Sequence, residues 1–132
     1  MSHPRVHPSQ SSVPSAKWWR VDFHTHTPHS TDYGTAISER DWLLAHMSAG
    51  IDAVAVTDHN GGDWVDKLKV AYQQMEIEGS DEFRPLVIFP GFELTVGDGC
   101  HVLFLLDPAK GSGDTSLLLG TLGYKAQRGD AE

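Results

Sequence analysis

The segment Ile51-Asp52-Ala53-Val54-Ala55-Val56 constrains the fold more than any other, because after Asp52 it is apolar without alternation, as a strand covered on both faces must be. Such a strand belongs to a largely parallel sheet flanked by helices. The flanking sequence agrees. A helix is expected over 38–47, where Ser38 and Asp41 make a capping-box-like start, Trp42, Leu43, Leu44 and Met47 supply an apolar face, and Gly50 ends it. A second is expected over 63–78, where Trp64, Val65, Leu68, Ala71, Tyr72 and Met75 recur at helical spacing before Gly79. Bulky and β-branched runs predict further strands at 18–23, at Leu86-Val87-Ile88-Phe89 and at 101–106, and a short last helix is expected over 115–122.

The order β-α-β-α-β-β-α predicts an α/β protein of parallel strands with crossover helices, either an open doubly wound sheet or the beginning of a (β/α) barrel. Closed barrels use about 200 residues or more, so a chain of 132 would hold only part of one. At about 150 residues per domain this is one modest domain, which excludes a solenoid array or a complete two-domain enzyme. Residues 1–17, rich in Ser, Pro and His, are expected to form a flexible tail, which leaves 18–132 as the domain.

Charge and cysteine content narrow the function. Ten Lys and Arg against eighteen Asp and Glu give a formal net charge of -8, the wrong sign for a surface that coats phosphate backbones, so any nucleic-acid contact would be local. Cys100 is the single cysteine, so neither an internal disulfide nor a thiolate zinc cage is available, and a reducing cytoplasm fits best. No segment has the length of a membrane span or the apolar core of a signal peptide.

The polar residues that remain fall at the ends of the expected strands, which form the functional face of α/β folds. The first exit carries His24-x-His26, two imidazoles that a strand would turn to one side, with Asp32 six residues after His26. The second carries Asp58-His59, and the third Glu93 with His101 after it. Imidazoles and carboxylates without thiolates suit Zn, Mn or Fe in a hydrolytic site. Each piece also has an ordinary reading. A lone HxH is more often structural, Asp32 could be a turn residue beside Tyr33-Gly34, and His101 could bond a backbone carbonyl at a strand start. His29 could contact a substrate phosphate or be a solvated loop residue. Asp22 and Asp58 could each orient an imidazole or merely cap a strand end. Cys100 is expected to be an inert, partly buried thiol, His46 a structural residue, and Trp42, Trp64, Leu68 and Met75 core.

The motifs Asp22-Phe23-His24-Thr25-His26-Thr27 with Ser30 and Asp32, then Val56-Thr57-Asp58-His59, then Pro90-Gly91-Phe92-Glu93, resemble in order and placement the PHP family of polymerases and histidinol phosphatase. The wording around Asp58-His59-Asn60, and Glu93 followed by His101-Val102-Leu103 and Asp107-Pro108, looks most like the amino-terminal PHP part of proteins fused to an AAA-like ATPase, the TrlF type. The resemblance implies the N-terminal portion of a distorted (β/α)7 barrel, incomplete in this chain, whose mouth holds up to three divalent ions, Zn, Mn or Fe. It implies that His24 and His26 hold one ion, that Glu93 bridges it to a second held by His101, and that Asp32 and His59 hold the third, with Asp58 and His29 in catalytic support. Three ions need about nine protein groups, of which these six residues are two-thirds. The implied activity is hydrolysis of a phosphomonoester or terminal phosphate, on a small phosphorylated substrate or a nucleic-acid end, by a metal-activated water. The alternative is a non-catalytic PHP module beside an ATPase or polymerase. An amidohydrolase-like barrel also opens with HxH, but Asp58-His59 and Glu93 fit PHP better. No membrane partner and no particular oligomeric state are implied.

Overall fold

A computed structural model describes residues 16–124. The expected tail over 1–17, with His3 and His7, therefore lies almost wholly outside the described residues, as does the end of the chain from 125 onward. The elements run β1 (Val21–Thr25), α1 (Glu39–Ser48), β2 (Ala53–Val56), α2 (Trp64–Glu78), β3 (Val87–Thr95), β4 (His101–Leu105) and α3 (Ser112–Thr121). This is a mixed α/β arrangement around one four-stranded sheet in the order β1-β2-β3-β4, compatible with part of a barrel.

Local chemistry accounts for the helix ends. The Ser38 hydroxyl accepts from the Asp41 amide at 3.1 Å, which satisfies one of the amides that the first turn of α1 leaves without a partner. Gly79 ends α2 at a φ of 60°, a left-handed conformation that costs glycine nothing. α3 begins earlier than the expected 115, because Asp114 accepts from the Gly111 amide at 2.9 Å and Asp66 of α2 accepts from the Ser112 amide at 3.0 Å. The second bond is tertiary and leaves no local sequence signal. No helix among the described residues is long and apolar enough to cross a membrane.

β1, β2 and β3 are parallel neighbours, joined through α1 and α2 as expected. The core lies between these helices and one face of the sheet. Trp42, Leu43 and Met47 of α1 and Val65, Leu68 and Met75 of α2 pack there against Val54, Val56 and Ile88. A fully buried side chain of this size contributes about 1.5–3 kcal/mol of transfer free energy. The register aligns Val21 with Ala53 and Ala53 with Val87, so these residues share the opposite face, where Val21, Phe23 and Val87 are exposed.

Two expectations are corrected. The strand expected at 86–89 does not exit at Pro90-Gly91 but continues to Thr95. Residues 87–90 pair with β2, and 91–95 pair with β4, so Pro90-Gly91 marks a change of partner rather than a turn. β4 is antiparallel to β3, not parallel. Only five residues separate the two strands, enough for a hairpin and too few for a crossover.

Candidate metal centre

Three devices bring the strand ends together. In β1 the register shifts between Asp22 and Thr25, which together span one residue more than their partners Val54 and Val56. A bulge of this kind re-aims the side chains beside it. After β2 the chain passes through Asp58 and His59 to Asn60, whose φ of 53° is a conformation that asparagine tolerates better than most residues. His59 bridges to Glu93 in parallel fashion. In the hairpin, Glu93 faces Leu103 and Thr95 faces His101, so His101 is a diagonal neighbour of Glu93 on one face.

The result is a cluster around one buried carboxylate. Glu93 is 4% exposed. Its Oε2 lies 3.1 Å from His24 Nε2, 3.3 Å from His26 Nε2 and 3.6 Å from His59 Nδ1, while Oε1 lies 3.0 Å from His101 Nδ1. The other nitrogen of His59, Nε2, is 3.3 Å from Asp32 Oδ2. The His26 and His59 rings stack with centroids 4.7 Å apart. All six residues expected to ligate metal thus lie in one connected group, whose open side is formed by the largely exposed side chains of His24, His101 and Asp32.

The donor set fits a divalent cation. Tetrahedral ligands about 2.0–2.1 Å from an ion stand about 3.3 Å from one another. Donor atoms of His24, His26 and Glu93 lie within 4.8 Å of one another, and the imidazole–carboxylate spacings above sit close to the tetrahedral value. Nitrogens of His24 and His26 lie within 3.3 Å of Oε2 and that of His59 at 3.6 Å, so imidazoles from both strand exits surround one carboxylate oxygen. His59 presents both of its nitrogens to carboxylates although a neutral imidazole has one N–H. A cation seated among these atoms would draw on imidazole nitrogens and carboxylate oxygens together.

Asp58 sits beneath this group rather than in it. It is fully buried, with Oδ1 accepting from the Thr27 amide at 2.6 Å and the Ser30 hydroxyl at 2.8 Å, and Oδ2 accepting from the Thr27 hydroxyl at 2.6 Å. Burial pushes its carboxyl above the ordinary value, and the hydrogen bonds from Thr27 and Ser30 pull the other way. Its Oδ1 is 4.0 Å from His26 Nδ1, too far for a hydrogen bond. The His26 imidazole is held below its ordinary value, first by burial and then by the neighbouring His59 charge, against the attraction of Asp58 and Glu93.

The remaining candidates fall elsewhere. The His29 ring packs on Gly61, where a β-carbon would collide with it, and lines a groove of about 600 Å³ with Trp64, Lys67, Ser112 and Ser116. Asp22 accepts from the His24 amide at 3.2 Å, which is a backbone role. Cys100 is exposed, not partly buried as expected, because it lies in the solvent-facing connection between β3 and β4. His46 Nδ1 bonds the Trp42 carbonyl at 2.8 Å inside α1.

Two residues without an expected role prove central to the arrangement, Thr27 and Ser30, both buried. Thr25 and Thr57 form a similar tie one layer below, with the Thr25 amide donating to Thr57 Oγ1 at 3.2 Å and the Thr25 hydroxyl to the Ala55 carbonyl at 2.6 Å. The available signal was the recurrence of small hydroxyl residues among the polar ones at both exits, in His24-Thr25-His26-Thr27 and Thr57-Asp58-His59.

No protein-family model matches the chain, and no curated protein does. Among solved structures, the chain is similar to a Bifidobacterium adolescentis protein with an inferred metal-dependent phosphoesterase activity, at 22% identity and a TM-score of 0.48. The match covers 78% of this chain and 32% of the other, so the chain spans about a third of that protein's length.

Proposed function

We propose that this chain carries the first part of a divalent-metal centre for phosphoester hydrolysis of the PHP type. The observation that carries the reading is Glu93, a buried carboxylate with both oxygens facing imidazoles from β1, the segments following β1 and β2, and the start of β4. The substrate class rests on the motif order His24-x-His26, Asp58-His59 and Glu93 that resembles that family.

A cation bound here supplies an activated water and neutralises charge building on phosphoryl oxygens. The chain's own residues supply the rest. His24, His26 and Glu93 hold one ion, His101 extends the set through the second Glu93 oxygen, and His59 with Asp32 forms the other arm. Asp58 fixes the segment carrying His26. His29 and Lys67, beside the groove at α2 and α3, offer cationic or hydrogen-bonding contacts to a phosphorylated substrate.

The test is elemental analysis of the purified chain together with phosphate release from p-nitrophenyl phosphate after addition of Mn or Zn. Bound metal with turnover lost in Glu93→Gln supports the enzyme reading. Bound metal without turnover supports a non-catalytic module beside a partner domain, and failure to bind either ion overturns the metal centre.

A further inference from the structure

The side chain of Ser30 is where two candidate ligands meet the buried Asp58. Ser30 is 2% exposed, and its Oγ lies 2.8 Å from Asp58 Oδ1, 3.2 Å from the His59 amide nitrogen and 3.3 Å from His26 Nδ1. A hydroxyl has one proton to donate and two lone pairs with which to accept.

Each partner limits how these are used. The Asp58 carboxylate only accepts, so the Ser30 proton goes to it. The His59 amide only donates, so it occupies one Ser30 lone pair. One lone pair remains, and His26 Nδ1 faces it. A ring nitrogen bonded to a lone pair must itself carry hydrogen. We infer that Ser30 is a positioning residue that holds His26 as its Nδ1–H tautomer, leaving Nε2 unprotonated and directed at Glu93.

The consequence lies at the other end of the ring. His26 Nε2 and Glu93 Oε2 are 3.3 Å apart, and with Nε2 bare both atoms are acceptors, so they do not bond each other and a cation between them joins them. The Trp42 indole donates to the His26 carbonyl at 3.0 Å, which fixes the backbone while Ser30 fixes the ring. Orienting a ligating imidazole through its second nitrogen is a usual duty for a carboxylate or carbonyl. Here a hydroxyl performs it, and it can do so because Asp58 takes its proton. The use assigned to the bare nitrogen rests on the metal-centre reading, whereas the tautomer follows from the hydrogen-bond count alone.

Long-range proton–nitrogen NMR of the ¹⁵N-labelled full chain, stripped of metal with EDTA at pH 7.5, reads the tautomer directly. The expected spectrum shows His26 with Nε2 unprotonated, a shift toward the Nε2–H form in Ser30→Ala, and recovery in Ser30→Thr. A wild-type His26 carrying its proton on Nε2 overturns the inference, with no variant required, and so does a Ser30→Ala spectrum unchanged at His26. Zinc titration of the same samples separates the two readings. Loss of the Ser30 hydroxyl is expected to weaken zinc binding by about 10–100-fold. A wild-type chain that binds no zinc while showing the Nδ1–H form overturns the metal centre and supports the role of Ser30.

Discussion

The main-chain N–H of Glu93 donates to the carbonyl of Asp58 at 2.9 Å, and the Asn60 N–H returns a bond to the Glu93 carbonyl at 3.0 Å. Strand β3 is thereby stitched to the segment after β2 at the residues that carry the site. Glu93 cannot shift along the sheet without moving His59, so the spacing between them is set by backbone hydrogen bonds rather than by side-chain attraction.

Glu93→Gln keeps the volume of the side chain and removes its charge. Because three imidazole nitrogens converge on Oε2, the replacement leaves an amide among them that holds a cation far less well than a carboxylate. Zinc affinity measured by isothermal titration is expected to fall by at least about 10-fold, on the scale seen when a ligand's support is lost. Circular dichroism of the metal-free variant is expected to match wild type. Undiminished affinity removes Glu93 from the ligand set.

Acid is expected to weaken the metal-free fold through His26. Burial and the His59 charge hold its folded value below the ordinary 6.5, so between those two values the unfolded chain binds a proton that the folded chain refuses. The stability this contributes is present above pH 6.5 and is lost as pH falls toward the folded value. Thermal melts from pH 8 to pH 5 should show a falling midpoint with a shallower fall in His26→Asn, and a His26 NMR titration midpoint at or above 6.5 refutes the account.

Asp58→Ala and Asp58→Asn are expected to part company. Alanine strips the acceptor from the Thr27 amide, the Thr27 hydroxyl and the Ser30 hydroxyl in a fully buried place. Unmade buried bonds of this kind cost about 1–3 kcal/mol each. Asparagine retains an oxygen for the Thr27 amide and Ser30, and its NH₂ can donate to Thr27 Oγ1. Urea unfolding should therefore give a large loss for alanine and a small one for asparagine, whereas equal losses would mean that packing rather than hydrogen bonding holds the segment.

Much of this was legible because the decisive residues follow strands whose apolar character is local. Ala53–Val56 is buried at every position, as its unbroken apolar run requires, and the candidates cluster at the ends of β1 and β2, with His24 within β1 and His26 and His59 after the strands. Glu93 was legible as a member of the polar cluster but not as a strand residue. Pro90-Gly91 carries a strong turn signal, and the backbone stays extended through it because β3 pairs with β2 before it and β4 after it, with Glu93 also bonded to the segment after β2. The role proposed for Ser30 was not legible, for a different reason, since a serine in a loop is common and its meaning lies in partners 28 and 29 residues away, at Asp58 and His59.

Gly91→Ala is expected to damage the site from a distance. A β-carbon there would strike the Phe104 carbonyl and lie 3.3 Å from the Val56 carbonyl oxygen, and both are backbone atoms that cannot rotate aside. Relief requires β3 to move away from β4 or β2, and the Phe92–Phe104 stack, with centroids 4.8 Å apart, moves with it. Overpacking of this kind costs about 1–3 kcal/mol. Because Glu93 and His101 lie across the same hairpin, the strain reaches both of these candidate ligands. The variant should melt several degrees below wild type and bind zinc more weakly, whereas Gly97→Ala, with open space around it, should do neither. A Gly91→Ala protein with unaltered melting would show that the close approach of β3 to β4 is not needed to hold Glu93 in place.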